Sequence, residues 1–190
     1  YAHVIIEATP LEEGQGRRFI NRAHAESIPH HFVGAVEEGV INALQAGLLA
    51  GYQVDDLEIA LTGGSFHEVD STEQAFKVAA SMAVKELLAS GGEVLLEPIM
   101  NIEILTPEEY VGEIISDLNM RRGRVLGFEE NKESRVIKGV VPLAETFGYA
   151  TSLRSASQGR ASFSLHISNY GEVPESKSKE IIARRYGLPV

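Results

Sequence analysis

Residues 56–72 read DLEIALTGGSFHEVDST, and this stretch joins two elements of different periodicity. Alternating apolar residues at its start predict a half-buried strand over Asp56–Leu61. Apolar residues at helical spacing then predict an amphipathic helix over Thr72–Leu88. The segment between them is therefore a short loop that connects a strand directly to a helix.

The loop carries more chemistry than a connector needs. Gly63 and Gly64 permit an unusual backbone path, and a phenyl ring, an imidazole and two carboxylates follow within five residues. Ser71, with Gln74 three positions later, has the spacing of a capping box, and Asp70 is a second capping candidate. Two hypotheses follow for the rest of the loop: a catalytic turn, or a tip that contacts a partner.

The catalytic hypothesis is a small free-standing enzyme that uses His67 and Glu68, with Ser65 nearby. Catalytic triads are assembled from separate chain segments, each of which orients the next. Neighbours within one loop rarely reach that geometry. We therefore expect no catalytic residue here and keep the small enzyme only as the less favoured alternative.

Composition restricts the class of protein. The 190 residues are 44% apolar and 23% charged, as in ordinary globular proteins. Cysteine is absent, which excludes disulfides and thiolate metal sites and favours the cytoplasm. No run of about 18 apolar residues is present, so we expect no membrane association. The chain begins at Tyr1 within a strand-like run, which predicts a piece of a longer polypeptide.

Charge is distributed unevenly between the two halves. Residues 1–93 have a net charge of −9, and residues 94–190 have a net charge of −1. Nucleic-acid affinity rests on neutralisation of phosphates, so the first half is not expected to bind nucleic acid strongly by itself. Contacts with RNA in that half are expected to be local.

Nucleotide and metal sites are not predicted. The sequence contains no G-x-x-x-x-G-K-[ST] motif, which argues against GTP or ATP binding through a standard phosphate loop. His24, His30 and His31 are close in sequence, but they lack the i, i+4 spacing of a helical zinc site. We expect no metal and no cofactor in this chain.

The second half, after Gly91-Gly92, has the order β-α-β-β-α-β, which is a ferredoxin-like arrangement. Its first helix begins at Thr106–Glu109, and a strand pair surrounds the polar turn Glu129–Ser134. Phe147 is predicted to lie on the core face of the second helix. The charged tail Ser176–Arg185 is predicted to form a terminal helix.

Basic residues are concentrated in this second half. Arg121, Arg122 and Arg124 surround the end of its first helix, while Arg154 and Arg160 flank a polar turn. Cations at a helix C-terminus complement the helix dipole. The same residues are candidates for contact with RNA phosphates. Both interpretations stay open from the sequence.

Several segments are similar to the last two domains of bacterial translation elongation factor G, and they occur in the family's order and spacing. The segments span nearly the whole chain. They are Leu48–Tyr52, Gly64–Ser71, Leu95–Met100, Phe147–Thr151, Leu153–Ser155 and Gln158–Ser162.

This resemblance implies an α+β chain of two domains. Residues 1–93 would form the elongated fourth domain, with a left-handed βαβ crossover. Residues 94–190 would form the fifth, ferredoxin-like domain with a C-terminal tail. The GTPase domain, with its GTP and Mg²⁺, would lie elsewhere in the parent protein.

The resemblance also implies partners and contact residues. The tip of the fourth domain would enter the decoding region of the small ribosomal subunit and hold the tRNA–mRNA duplex during translocation, and the fifth domain would contact stalk-base rRNA of the large subunit. The protein is expected to act as a monomer. The implied contact residues at the tip are Ser65, Phe66, His67 and Glu68, with two flanking loops formed by Ile28, Pro29 and His30 and by Gly51, Tyr52 and Gln53.

The sequence departs from the usual family pattern near this tip. The departures are the segment His24–Ser27, the pair His30-His31, Gln53 and Gly34. They leave two roles open for the parent protein: the main translocase, or a specialised paralogue that acts in ribosome recycling.

Overall fold

The computed structural model describes residues 1–131 and 134–188, which form two compact units. The first comprises Tyr1–Val94 together with the segment that begins at Glu175, and the second comprises Leu95–Pro174. Each unit combines one sheet with helices, so the predicted α+β class is confirmed.

The first unit is a three-stranded sheet with two helices packed against it. The central strand β3 is antiparallel to β1 and parallel to β2, and helix α1 connects the two parallel strands. This is the βαβ crossover expected from the resemblance, and its left-handedness stays a prediction. In chain order the elements are β1 (His3–Pro10), β2 (Arg17–Asn21), α1 (His30–Ala46), β3 (Leu57–Ser65) and α2 (Glu73–Gly91).

Strand β3 is longer than predicted and includes Gly63 and Gly64. Their role is therefore not to shape a loop. A Cβ atom at Gly64 would lie 2.2 Å from the carbonyl oxygen of His3 and 2.8 Å from Cδ1 of Ile28. Glycine is required at this position because β1 and a core side chain approach its backbone closely.

The core of the first unit lies between the sheet and the helices. Ile59 and Leu61 of β3 are fully buried, as their alternation predicts, but Ala60 between them is buried as well. Phe32 of α1 stacks on Phe76 of α2 with ring centroids 4.6 Å apart. Burial of such side chains typically contributes about 1.5–3 kcal/mol each, so the helices are fixed firmly on the sheet.

The second unit is a four-stranded antiparallel sheet in the order β5-β6-β4-β7. With its two main helices this is the predicted ferredoxin-like arrangement. Residues 132–133, at the centre of the predicted Glu129–Ser134 turn, lie outside the described residues. The elements are β4 (Leu96–Thr106), α3 (Val111–Met120), β5 (Arg124–Asn131), β6 (Ser134–Pro142), α4 (Tyr149–Ala156) and β7 (Ser162–Glu172).

The prediction for Phe147 is wrong. Helix α4 begins only after Gly148, which adopts a left-handed conformation with φ of 76°. Phe147 therefore precedes the helix and is 78% exposed. Tyr149 and Leu153 provide the buried face instead, and the Tyr149 ring packs edge-on against Phe163.

The predicted terminal helix is present as α5 (Glu175–Arg185), but its placement differs from the prediction. The sequence assigned this tail to the second domain, whereas the structure groups it with the first unit. The hydroxyl of Tyr186, just after α5, donates a hydrogen bond to the carbonyl oxygen of Leu48 (3.3 Å). Such a long-range contact has no local signal in the sequence.

Candidate functional site

Helix α2 is capped one residue later than predicted. The Thr72 hydroxyl accepts a hydrogen bond from the backbone nitrogen of Ala75 (3.1 Å), so Thr72 is the N-cap. Ser71 does not cap the helix. Its Oγ accepts from the backbone nitrogen of His67 (2.8 Å) and donates to the carbonyl oxygen of Tyr1 (2.7 Å). Ser71 thus ties the loop to the start of the chain.

The imidazole of His67 is held by the loop's own main chain. Its Nδ1 accepts from the backbone nitrogens of Val69 (3.3 Å) and Asp70 (3.2 Å). The Asp70 carboxylate also lies 3.2 Å from Nδ1. A nitrogen that accepts two N–H bonds has no proton to share with a carboxylate, so the main-chain bonds and an ion pair with Asp70 exclude each other.

A second set of hydrogen bonds joins the residue before the loop, Ser65, to the first residues of the chain. The hydroxyls of Tyr1 and Ser65 share a hydrogen bond of 2.7 Å, and Ser65 Oγ lies 3.3 Å from Nδ1 of His3. Ser65, a predicted contact residue, is therefore engaged by neighbours within the unit.

The exposed part of the loop is narrower than the sequence suggested. Phe66 is half-buried and packs against the core of the first unit. The side chain of His67 is 57% exposed, and Glu68 is also exposed. Val69 is 83% exposed, which the sequence did not single out. Its only signal was an apolar residue that matches neither the strand nor the helix periodicity.

Two of the expected tip segments differ in position. Residues 28–30 follow β2 and His67 follows β3, and because these strands are parallel both segments lie at the same end of the sheet. Residues 51–53 precede β3 and so lie at the opposite end. Nine strand residues span about 30 Å. The expectation that Gly51, Tyr52 and Gln53 flank His67 is therefore wrong.

The segment at the same end contributes less surface than expected. Ile28 is 1% exposed and belongs to the hydrophobic core. Pro29 occupies the N-cap position of α1, where Pro has no hydrogen-bonding side chain, and it is half-buried. His30 is exposed and remains available for contact.

Arg121 and Arg122 in the second unit are engaged internally. Arg121 binds Asp117 (3.0 Å), the carbonyl oxygen of Glu145 (2.8 Å) and the Ser152 hydroxyl (2.7 Å), and its guanidinium lies over the Tyr149 ring. Each of its three nitrogen atoms therefore has a partner within the unit. This accounts for Arg121 without an RNA contact.

Arg122 forms two bonds with the Glu97 carboxylate and a third with Glu145. Hydrogen bonding to Glu97 raises the pKa of Arg122 above its ordinary value, with Glu145 adding to the effect and partial burial opposing it. This residue holds strand β4 and the turn before α4 together.

The other three cations are more exposed. Arg160 pairs with Glu109 (2.5 Å) and lies over the Tyr110 ring, with its side chain 58% exposed. Arg124 on β5 and Arg154 on α4 are exposed. These three residues are the better candidates for RNA contact in this unit.

The surroundings of His67 are open to solvent, since its side chain is 57% exposed. Two shallow grooves of about 400 Å³ each lie on the second unit, and neither is lined by His67 or Glu68.

Among residues 1–131 and 134–188, no group of three or more His, Asp or Glu side chains is arranged to hold a metal ion. The helices of the described chain are all too short or too polar to cross a membrane.

Comparison with known proteins identifies relatives for both units. Residues 1–92 match the family described as elongation factor G, domain IV, and residues 94–181 match the family described as elongation factor G C-terminus. The chain is 65% identical, over its full length, to elongation factor G 2 of Syntrophomonas wolfei subsp. wolfei, of which it covers 27%. A crystal structure of a protein from Thermus thermophilus superposes with a TM-score of 0.83 at 38% identity, covering 98% of this chain and 28% of that one.

Proposed function

This chain belongs to the elongation factor G family, and on that premise we propose that it is the ribosome-contacting part of a translational GTPase that moves tRNA and mRNA. The chain spans about a quarter of the length of its curated relative. In this proposal the end of the first unit that carries His67 enters the decoding region of the small subunit and holds the tRNA–mRNA duplex.

The observation that carries this proposal is the His67 loop. The imidazole is exposed and held by main-chain bonds, and Ser71 ties the loop to the carbonyl oxygen of Tyr1, two residues before β1. An exposed loop that is held in place by hydrogen bonds at the end of the sheet suits a role in binding a partner, which requires a fixed position and no reacting group. The rest of the contact surface at this end is formed by Glu68, Val69 and His30.

Chemistry in the parent protein requires groups that this chain does not provide. GTP and Mg²⁺ would bind in a GTPase domain of the parent. The residues here do not fit either group, because the sequence has no phosphate loop and the described residues include no cluster of metal-ligating side chains. The proposed role of this chain is therefore mechanical.

His67→Ala in the full-length parent tests the tip. We expect translocation to slow several-fold while ribosome-stimulated GTP hydrolysis stays near normal, because the substitution removes a contact with RNA and not a contact with nucleotide. His166→Ala, an exposed histidine on β7 of the second unit, is the matched control. If hydrolysis fell as much as movement, the tip would not act as proposed.

Ribosome recycling is the second candidate function, favoured by the departures from the family pattern at His24–Ser27 and His30-His31, which lie at the His67 end of the sheet, and at Gln53, which lies at the opposite end. The same variants distinguish the two roles. His67→Ala would then impair subunit splitting by the parent and leave translocation unchanged.

We propose that the second unit contacts large-subunit rRNA near the stalk base through Arg124, Arg154 and Arg160. The logarithm of the ribosome-binding constant falls linearly with the logarithm of the salt concentration. Each phosphate contact that is lost should reduce the steepness of this slope by about one unit. Arg124→Gln and Arg154→Gln in the parent are expected to show this change. An unchanged slope in both variants would remove these residues from the interface.

A further inference from the structure

Ser71 occupies a central position in the hydrogen bonds around His67. Its hydroxyl accepts from the backbone nitrogen of His67 and donates to the carbonyl oxygen of Tyr1, while its backbone nitrogen donates to the carbonyl oxygen of His67 (3.1 Å). The segment from His67 to Ser71 is thus closed into a ring by two bonds between its end residues, and a third bond joins this ring to Tyr1, two residues before β1.

This closure places the amides of Val69 and Asp70 against one atom, Nδ1 of His67. Both amides donate, so Nδ1 must present a lone pair and the ring proton must reside on Nε2. None of the described residues forms a hydrogen bond with Nε2 of His67. In this arrangement Nε2–H is a hydrogen-bond donor without a partner among the described residues.

Two acidic residues flank the ring. The Asp70 carboxylate lies 3.2 Å from Nδ1, and Glu68 is adjacent in sequence. His3 and Tyr1 lie behind the loop and contact Ser65. The positions of the two amides relative to Nδ1 follow from the ring closure by Ser71.

We infer that Ser71 is a positioning residue that fixes His67 as the Nε2–H tautomer, so that the tip offers its partner Nε2–H as a hydrogen-bond donor. The partner atom is then an acceptor oxygen or nitrogen. That this atom belongs to RNA rests on the proposed function, whereas the tautomer does not.

The tautomer is measurable on this chain with long-range ¹H–¹⁵N correlation of the histidine rings at a pH where they are neutral. His24, an exposed histidine in the same unit, serves as the internal reference. The bonds to Nδ1 should enrich the Nε2–H form of His67 at least about fivefold over His24. A His67 ring with the same tautomer ratio as His24 would overturn the inference.

Two variants separate positioning from general stability. Ser71→Ala should return the tautomer ratio of His67 toward that of His24, and Ser71→Thr, which keeps the hydroxyl, should restore it. Thr72→Ala removes the neighbouring helix cap and should lower stability without changing the ring. If Thr72→Ala altered the His67 tautomer as much as Ser71→Ala did, the effect would be one of general loosening and the assignment to Ser71 would fail.

The effect of Ser71 on function is measured in the full-length parent protein. Ser71→Ala should slow translocation in the same direction as His67→Ala, and the double variant should be no slower than His67→Ala alone. A changed tautomer with unchanged translocation would contradict the proposed function of the tip while leaving the ring assignment intact. An unchanged tautomer in Ser71→Ala would contradict the positioning role, whatever the rate of translocation.

Discussion

The guanidinium of Arg122 binds the carboxylate of Glu97 through two parallel bonds of 2.7 and 3.0 Å. The two side chains are only 26% and 11% exposed, and the third nitrogen binds Glu145. A bidentate pair of this kind is geometrically specific and stronger than a single ion pair on the surface. Its arrangement explains why a cation at the end of α3 is a structural group and not a free one.

Arg122→Gln should therefore destabilise the second unit. Removing one partner of a largely buried pair leaves the Glu97 carboxylate uncompensated, and we expect a loss of about 2–4 kcal/mol in the free energy of unfolding. Urea denaturation followed by circular dichroism measures the change. Arg154→Gln is the matched control, with an expected change within about 0.5 kcal/mol. Equal effects of the two substitutions would contradict the structural role of Arg122.

Gly64 and Gly34 should respond in opposite directions to alanine. At Gly64 the new methyl group would collide with the His3 carbonyl oxygen and the Ile28 side chain, and we expect a loss of roughly 2 kcal/mol or more. Gly34 lies in helix α1 with no heavy atom within 4 Å of an added Cβ. Alanine there should stabilise the first unit by about 0.5–1 kcal/mol. Thermal unfolding of both variants provides the comparison.

Ile28→Ala tests whether this residue is a core residue or a contact. A nearly fully buried isoleucine should cost about 2–5 kcal/mol when truncated, because a cavity remains. Chemical denaturation of the chain gives this value directly. A change below about 0.5 kcal/mol would instead support the expectation from the resemblance that Ile28 faces a partner.

Tyr149→Phe should be neutral or stabilising, by up to about 1–2 kcal/mol. The Tyr149 hydroxyl is buried and has no hydrogen-bond partner among the described residues, so its removal relieves a desolvation cost. Differential scanning calorimetry at neutral pH measures the effect.

The same hydroxyl predicts a dependence on pH. Burial raises the pKa of Tyr149, with the Asp117 charge adding to the rise and Arg121 opposing it. The unfolded chain releases this proton near a pH of about 10, whereas the folded chain retains it. The contribution of Tyr149 to the free energy of unfolding is therefore fully present below a pH of about 10 and is lost as the pH rises above that value. Tyr149→Phe should show a smaller loss over this range.

Periodicity predicted most of the elements because helices and strands are local. The face of α2 that begins at Phe76 and the alternation of Ile59 and Leu61 are buried as their spacing requires. The predicted N-cap of α2 was one residue too early, because Ser71 and Thr72 both have a hydroxyl that could cap the helix. Only the backbone path determines which hydroxyl reaches the first turn of the helix.

The contact surface was predicted less well because it depends on pairing between distant segments. The position of Tyr52 relative to His67 follows from the direction in which β3 runs between them. The partners of Arg122 lie 25 and 23 residues away in sequence. A list of charged and aromatic loop residues does not contain that information.

The grouping of α5 with the first unit has a consequence for how the chain can be divided. The backbone nitrogen of Val173 donates to the carbonyl oxygen of Leu95 (2.8 Å), so the polypeptide enters and leaves the second unit at adjacent points. In topological terms the second unit is an insertion between α2 and α5. Excision of residues 95–174 and closure with a short Gly-Ser linker should therefore retain all of the first unit, whereas truncation after residue 94 removes α5.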